Sequence, residues 1–88
     1  MADESLPAVD FATFILSLSH SALVHMGEAP SPETGKPDKN LPLARQTVDV
    51  IAMLEDKTKG NLTGDEERLI GQVLFDLRMR YVEQTKQK

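Results

Sequence analysis

The longest stretch without a charged residue lies between Asp10 and Glu28, and all of it except Gly27 belongs to Phe11–Met26. On a helical wheel its apolar residues fall on most sides, and a narrow strip holds the polar residues Thr13, Ser17, His20 and Ser21. A helix that is apolar nearly all round must be covered by other elements. The pattern therefore predicts a buried first helix, capped at its start by Asp10 and ended by Gly27.

Residues 27–40 interrupt the helical pattern. They contain Pro30, Pro32 and Pro37, and proline lacks the backbone N–H that a helix interior needs. We expect a Pro-rich loop here, which is long beside the roughly 2–8 residues usual between packed helices. Within it, residues 32–35 have the composition of a turn.

A second helix is predicted to begin at the cap Asn40, with Pro42 in its first turn, where the missing donor costs nothing. Gly60 is expected to end it in a left-handed conformation. Its apolar face contains Leu43, Ala44, Thr47, Val48, Val50, Ile51 and Leu54.

The third helix carries the strongest local signal. Thr63 and Glu66 have the spacing of a capping box, in which each side chain binds the backbone N–H of the other residue. The helix is predicted over about residues 64–84, antiparallel to the second because the connector between them is short. Its main apolar stripe contains Leu69, Ile70, Val73, Leu74, Leu77 and Tyr81.

A second apolar stripe lies on nearly the opposite side of the third helix. It consists of Phe75, Met79 and Val82, which are three or four residues apart and therefore neighbours on the helix surface. A three-helix monomer can hardly bury both stripes. We predict that these three residues bind a partner, and that the partner is a second copy of the chain.

Chain length and composition limit the architectures that we expect. At 88 residues, the chain is expected to form a single all-α domain over residues 1–88, a three-helix antiparallel bundle with residues 1–9 as a mobile tail. A core of this size is marginal, which favours a homodimer. The absence of cysteine removes disulfides as the alternative support.

The number and placement of charged residues limit which partners and which cell compartment we expect. A formal net charge of −4 argues against nucleic acid and anionic lipid, because affinity for both depends on clustered Lys and Arg. Asp3 and Glu4 replace the basic residues that open a signal peptide, so we expect a cytoplasmic protein. The uncharged stretch is shorter than the ~20 apolar residues of a membrane span.

The sequence contains no constellation that predicts catalysis, and we expect no enzyme, no cofactor and no metal. His20 and His25 diverge around the first helix, so they are not expected to share a metal within one chain. The carboxylates Asp65 and Glu67 suit the positive end of the third helix. Arg80 lies one turn after Asp76 and can pair with it.

Three segments together resemble a known family: FILSLSHSALVHMGEAPSPETGK, LARQTVDVIAMLEDKTKGNLT and DEERLIGQVLFDLRMRYVE. They resemble the bacterial domain-of-unknown-function family numbered 1844. The resemblance covers residues 11–83 and is most specific at residues 25–30, 57–63 and 77–82. It implies a stand-alone bacterial helical protein with no assigned activity, and so provides no catalytic residues to carry over.

Two functions are therefore expected from the sequence. The first is a cytoplasmic protein-interaction or assembly module, with the loop and the outer face of the third helix as contact surfaces. The alternative is a small-ligand or metal-binding helical dimer, with His20 or His25 in a pocket between the subunits.

Overall fold

The computed structural model describes residues 9–86, which form three α-helices and no strand. Helix α1 spans Phe11–Met26, α2 spans Leu41–Lys57 and α3 spans Gly64–Lys86. The predicted all-α fold is confirmed. The tail predicted for residues 1–9 lies outside the described residues except for Val9.

Each helix begins at the predicted cap. The Asp10 carboxylate accepts a hydrogen bond from the backbone N–H of Thr13 at 2.7 Å, and the Asn40 amide oxygen accepts one from Leu43 at 3.2 Å. At α3 the capping box is complete. The Thr63 N–H donates to the Glu66 carboxylate at 2.8 Å, and the Glu66 N–H donates to the Thr63 hydroxyl at 3.1 Å.

The ends of α1 and α2 differ. Gly27 ends α1 with φ of 83°, as predicted for a left-handed cap. The prediction that Gly60 ends α2 is wrong, because the helix ends at Lys57 and Thr58 is the cap. The Thr58 hydroxyl and N–H both donate to the Leu54 carbonyl, at 2.6 and 3.0 Å. Gly60 has φ of 86° and instead shapes the turn that follows.

The three helices pack against one another in all three pairs. Near the start of α2, Arg45 and Asp49 share a groove with Arg78 on the last part of α3. Near the end of α2, Glu55 shares another with Glu67 on the first part of α3. The two helices are therefore antiparallel. The core between the helices is formed by Ile15, Ala22, Met26, Ala44, Val48, Ile51, Ile70, Val73, Leu74 and Leu77.

Helix α1 is not buried all round, contrary to the expectation from its apolar wheel. Phe14 and Leu16 are about half exposed, at 47% and 53%. The reason is that α2 and α3 cover only one side of α1, where Ile15, Ala22 and Met26 enter the core. Apolar character alone does not place a residue inside, since folded proteins expose much apolar surface.

The segment between α1 and α2 folds back on itself. The Ser31 N–H donates to the Lys36 carbonyl at 2.9 Å, and the Gly35 N–H donates to the Ser31 carbonyl at 2.7 Å. The Asn40 N–H then donates to the His25 carbonyl at 2.7 Å, which brings the start of α2 back to the end of α1. Ser31 is buried, and so is Val24, which lies outside the helix core. These two side chains line the same groove between α1 and the segment.

Candidate protein-interaction site

The second apolar stripe of α3 lies on the surface, as the sequence predicts. We call Phe75, Met79 and Val82 the α3 ridge; their exposed fractions are 68%, 54% and 48%. Their spacing of three and four residues places them side by side on one helix. The main stripe of the same helix is buried at Ile70, Val73, Leu74 and Leu77. Helix α3 therefore has an apolar core face and an apolar outer face.

The α3 ridge lines an open groove of about 440 Å³, which we call the α3 groove. Leu74 and Gly71 contribute to it from α3, and Glu55 contributes from α2. Arg78 and Glu83 add the charged groups of α3. An apolar strip bordered by charges is typical of the surface that a partner protein covers.

Other exposed apolar side chains on the helices do not form a comparable strip. Phe14 and Leu16 are two residues apart and so project to different sides of α1. Met53 is 51% exposed on α2. No other exposed large apolar residue of that helix lies one turn away from it. The α3 ridge is thus the apolar surface that best fits a binding role.

The charges beside the α3 ridge differ in their partners. Arg68 pairs with Asp65, and Arg80 pairs with Asp76 at 2.8 Å, which confirms the pairing predicted for Arg80. Arg78 forms no ion pair with any residue in the range 9–86. Its side chain is exposed and can pair with a group outside the chain.

A contact that the sequence does not predict joins the end of α3 to the segment after α1. Glu28 accepts a hydrogen bond from Arg80 at 2.6 Å through one carboxylate oxygen and from Gln84 at 3.1 Å through the other. The pKa of Arg80 is raised above its ordinary value. The hydrogen bond to Asp76 is the largest cause, and the hydrogen bond to Glu28 is the next. Residues more than fifty positions apart carry no local sequence signal for such a contact.

A second groove, of about 290 Å³, lies between α1 and the segment that follows it. We call it the histidine groove, because His20 and His25 both line it, together with Glu33 and Asp38. The divergence of the two histidines around α1 does not separate them into different sites, since the folded segment extends across both positions. Within the described part of the chain, no group of three or more His, Asp or Glu side chains is placed to hold a metal ion.

The carboxylates at the start of α3 have structural partners. Asp65 pairs with Arg68, and Glu66 completes the capping box.

None of the helices within residues 9–86 has both the length and the apolar character that crossing a bilayer requires.

Comparison with known proteins identifies the family of the chain. The family model described as Domain of unknown function (DUF1844) matches residues 8–83. Neither curated proteins nor solved structures contain a significant match.

Proposed function

Since the chain belongs to the DUF1844 family, whose description assigns no activity, we propose from its surface that it is a protein-interaction module that forms homodimers. The observation that carries the proposal is the α3 ridge, three adjacent apolar side chains that each expose about half or more of their surface. Burial of such a side chain contributes roughly 1.5–3 kcal/mol when it is complete. A two-fold interface buries the same strip from both copies.

The size of the α3 ridge indicates how stable the dimer is. Each copy offers three partly exposed side chains, so the gain is smaller than for full burial. Association costs on the order of 4–15 kcal/mol in lost freedom. We therefore propose a dimer whose population rises with protein concentration. We place it in the cytoplasm and assign it no catalytic activity.

The segment 27–40 is the second contact surface, available to a different protein.

The test is a pair of substitutions on the α3 ridge. Phe75→Asp with Met79→Asp places charges against an apolar partner surface, which disfavours the dimer. Both side chains project away from the core, so the monomer should remain helical. Met53→Asp is the matched control, because Met53 has similar exposure on another helix. Light scattering should show a monomer for the double variant and wild-type behaviour for the control.

Circular dichroism completes this test. A double variant that remains helical and keeps the wild-type mass would show that the α3 ridge is not the interface. Loss of helicity in the double variant alone, with dimeric wild-type protein, would indicate that the fold depends on the dimer.

The alternative is a small-ligand or metal-binding dimer, and the observation in its favour is the histidine groove. Its residues are all different from those of the α3 groove. Contact between two copies through α3 therefore does not bring their histidines together. Native mass spectrometry separates the two functions, because a retained ligand or metal adds mass to the dimer and a bare dimer does not.

A further inference from the structure

The α3 ridge lies on a line of positions that continues in both directions along the outer side of α3. Residues on this side recur with alternating spacings of four and three, which is the seven-residue repeat of paired helices. The positions are Arg68, Gln72, Phe75, Met79, Val82 and Lys86. Apolar residues hold the three positions of the α3 ridge; Arg68 and Gln72 precede them and Lys86 follows. We call these six positions the α3 seam.

Charged residues border the α3 seam differently on its two sides. Arg78 lies on the side nearer α2, where it shares a groove with Arg45 and Asp49. Glu83 lies on the other side, at the position that follows Val82. In the seven-residue repeat these are the two flanking positions that face a partner helix. Arg78 and Glu83 are both exposed, and neither forms an ion pair within residues 9–86.

Symmetry decides which flanks meet when two copies of α3 pack along the seam. In a two-fold antiparallel pair centred on Met79, each flank faces the same flank of the other copy. Arg78 then lies near the partner's Arg78, and Glu83 lies near the partner's Asp76, so charges of like sign meet on both flanks. In a two-fold parallel pair, each flank faces the opposite flank. A residue at the Arg78 position then faces the partner residue five positions later, which is the partner's Glu83.

We propose that a second copy of this chain packs along the α3 seam in the parallel orientation, with Arg78 of each copy paired to the partner's Glu83. This inference rests on the proposed homodimer and adds its orientation. Like charges across an interface disfavour the antiparallel arrangement, and the parallel arrangement forms two symmetric ion pairs. The parallel arrangement also places Arg68 and Lys86 beside their own counterparts, but both side chains are exposed near the helix ends, where they can extend into solvent, and Arg68 is paired with Asp65. The α3 ridge supplies the attraction, and the charges select the direction.

Single cysteines test the orientation directly, because the chain has no cysteine of its own. Met79→Cys lies at the middle of the seam and should form an intermolecular disulfide in either orientation. Gln72→Cys lies seven residues away. In an antiparallel pair centred on Met79, the two positions 72 are about 21 Å apart at ~1.5 Å per residue. A disulfide needs Cα atoms within about 7 Å, so only the parallel pair links them.

The cysteine outcomes separate the orientation from the dimer itself. Rapid linking of both variants, relative to a Met53→Cys control on α2, supports the parallel pair. Linking of Met79→Cys alone overturns the parallel orientation and leaves the proposed dimer in place. Linking of neither variant above the control overturns the dimer, and linking of Gln72→Cys alone overturns the α3 ridge as the centre of the contact.

Charge reversal tests the proposed ion pair. Arg78→Glu and Glu83→Arg should each raise the dimer dissociation constant by about tenfold, because each makes both pairs repulsive. The double variant, with the two charges exchanged, should return close to the wild-type dissociation constant. Dissociation constants unchanged by the single reversals, or no recovery in the double variant, would overturn the pair.

Discussion

At the scale of single residues, the helix caps follow directly from the sequence. Thr63 and Glu66 exchange hydrogen bonds with each other's backbone N–H, and Asp10 and Asn40 bind N–H groups three residues on. These bonds join groups a few residues apart, so spacing along the chain is sufficient to predict them. Each cap satisfies a donor that the first turn leaves without a partner.

The cap of α3 and the core of α3 should differ in their contribution to stability. Thr63→Ala removes one capping hydrogen bond and should lower the free energy of unfolding by about 1 kcal/mol. Leu77 is fully buried, so Leu77→Ala leaves a cavity and should cost about 2–5 kcal/mol. Urea denaturation of the two variants ranks them. A larger loss for Thr63→Ala would contradict the placement of Leu77 in the core.

The Asp10 cap should make stability depend on pH. The hydrogen bond from Thr13 N–H lowers the pKa of Asp10 below its ordinary value of 3.8. The carboxylate is favoured in the folded state, so its stabilisation is present above that ordinary value and is lost as the pH falls through the lowered pKa. Asp10→Asn keeps a cap that does not titrate.

Denaturation midpoints at neutral and acidic pH test this dependence. The stability of the wild-type protein relative to Asp10→Asn should fall as the pH drops below about 4. A difference between the two proteins that is constant across this range would contradict the role of Asp10.

At the scale of the helices, periodicity predicts the elements and their main buried faces. The stripe from Ile70 to Leu77 is buried as its spacing indicates, and so is the face of α2 at Ala44, Val48 and Ile51. The end of α2 could not be predicted from the position of Gly60 alone. The helix ends at Lys57, before the glycine is reached, and the Thr58 hydroxyl donates to the Leu54 carbonyl at that end.

What the sequence could not predict are contacts between distant segments. Val24 looks like one more apolar position of α1, yet its burial depends on how the segment containing Ser31 folds back. The contact of Glu28 with Arg80 likewise depends on the packing of α1 beside α3. The α3 ridge was predictable because its two requirements, helical spacing and a second stripe opposite the first, are both properties of one helix.

The segment between α1 and α2 should be the first site of limited proteolysis. Lys39 is exposed and lies after the turned part of the segment. Lys36 precedes Pro37, which protects that bond from trypsin, so cleavage after Lys39 should come first. Mass spectrometry of the early fragments identifies the site. First cleavage at Lys57 or Lys59 would show that the connector between α2 and α3 opens more readily.

At the scale of the whole molecule, the three helices share one core, and the α3 ridge remains outside it. The described charges near the ridge include Arg78 and Glu83, which find no ion pair within residues 9–86. An apolar strip and complementary flanking charges on the same helix are both explained by a second copy of that helix. Self-association through α3 is therefore the central claim.

The mass of the wild-type protein in solution, measured across a wide range of concentrations, tests this claim most directly. One chain has a mass of 9.8 kDa. Sedimentation equilibrium should show an average mass that rises with concentration and levels off at twice this value, as expected for a closed two-fold dimer. A mass that stays at 9.8 kDa up to the highest concentration would contradict self-association.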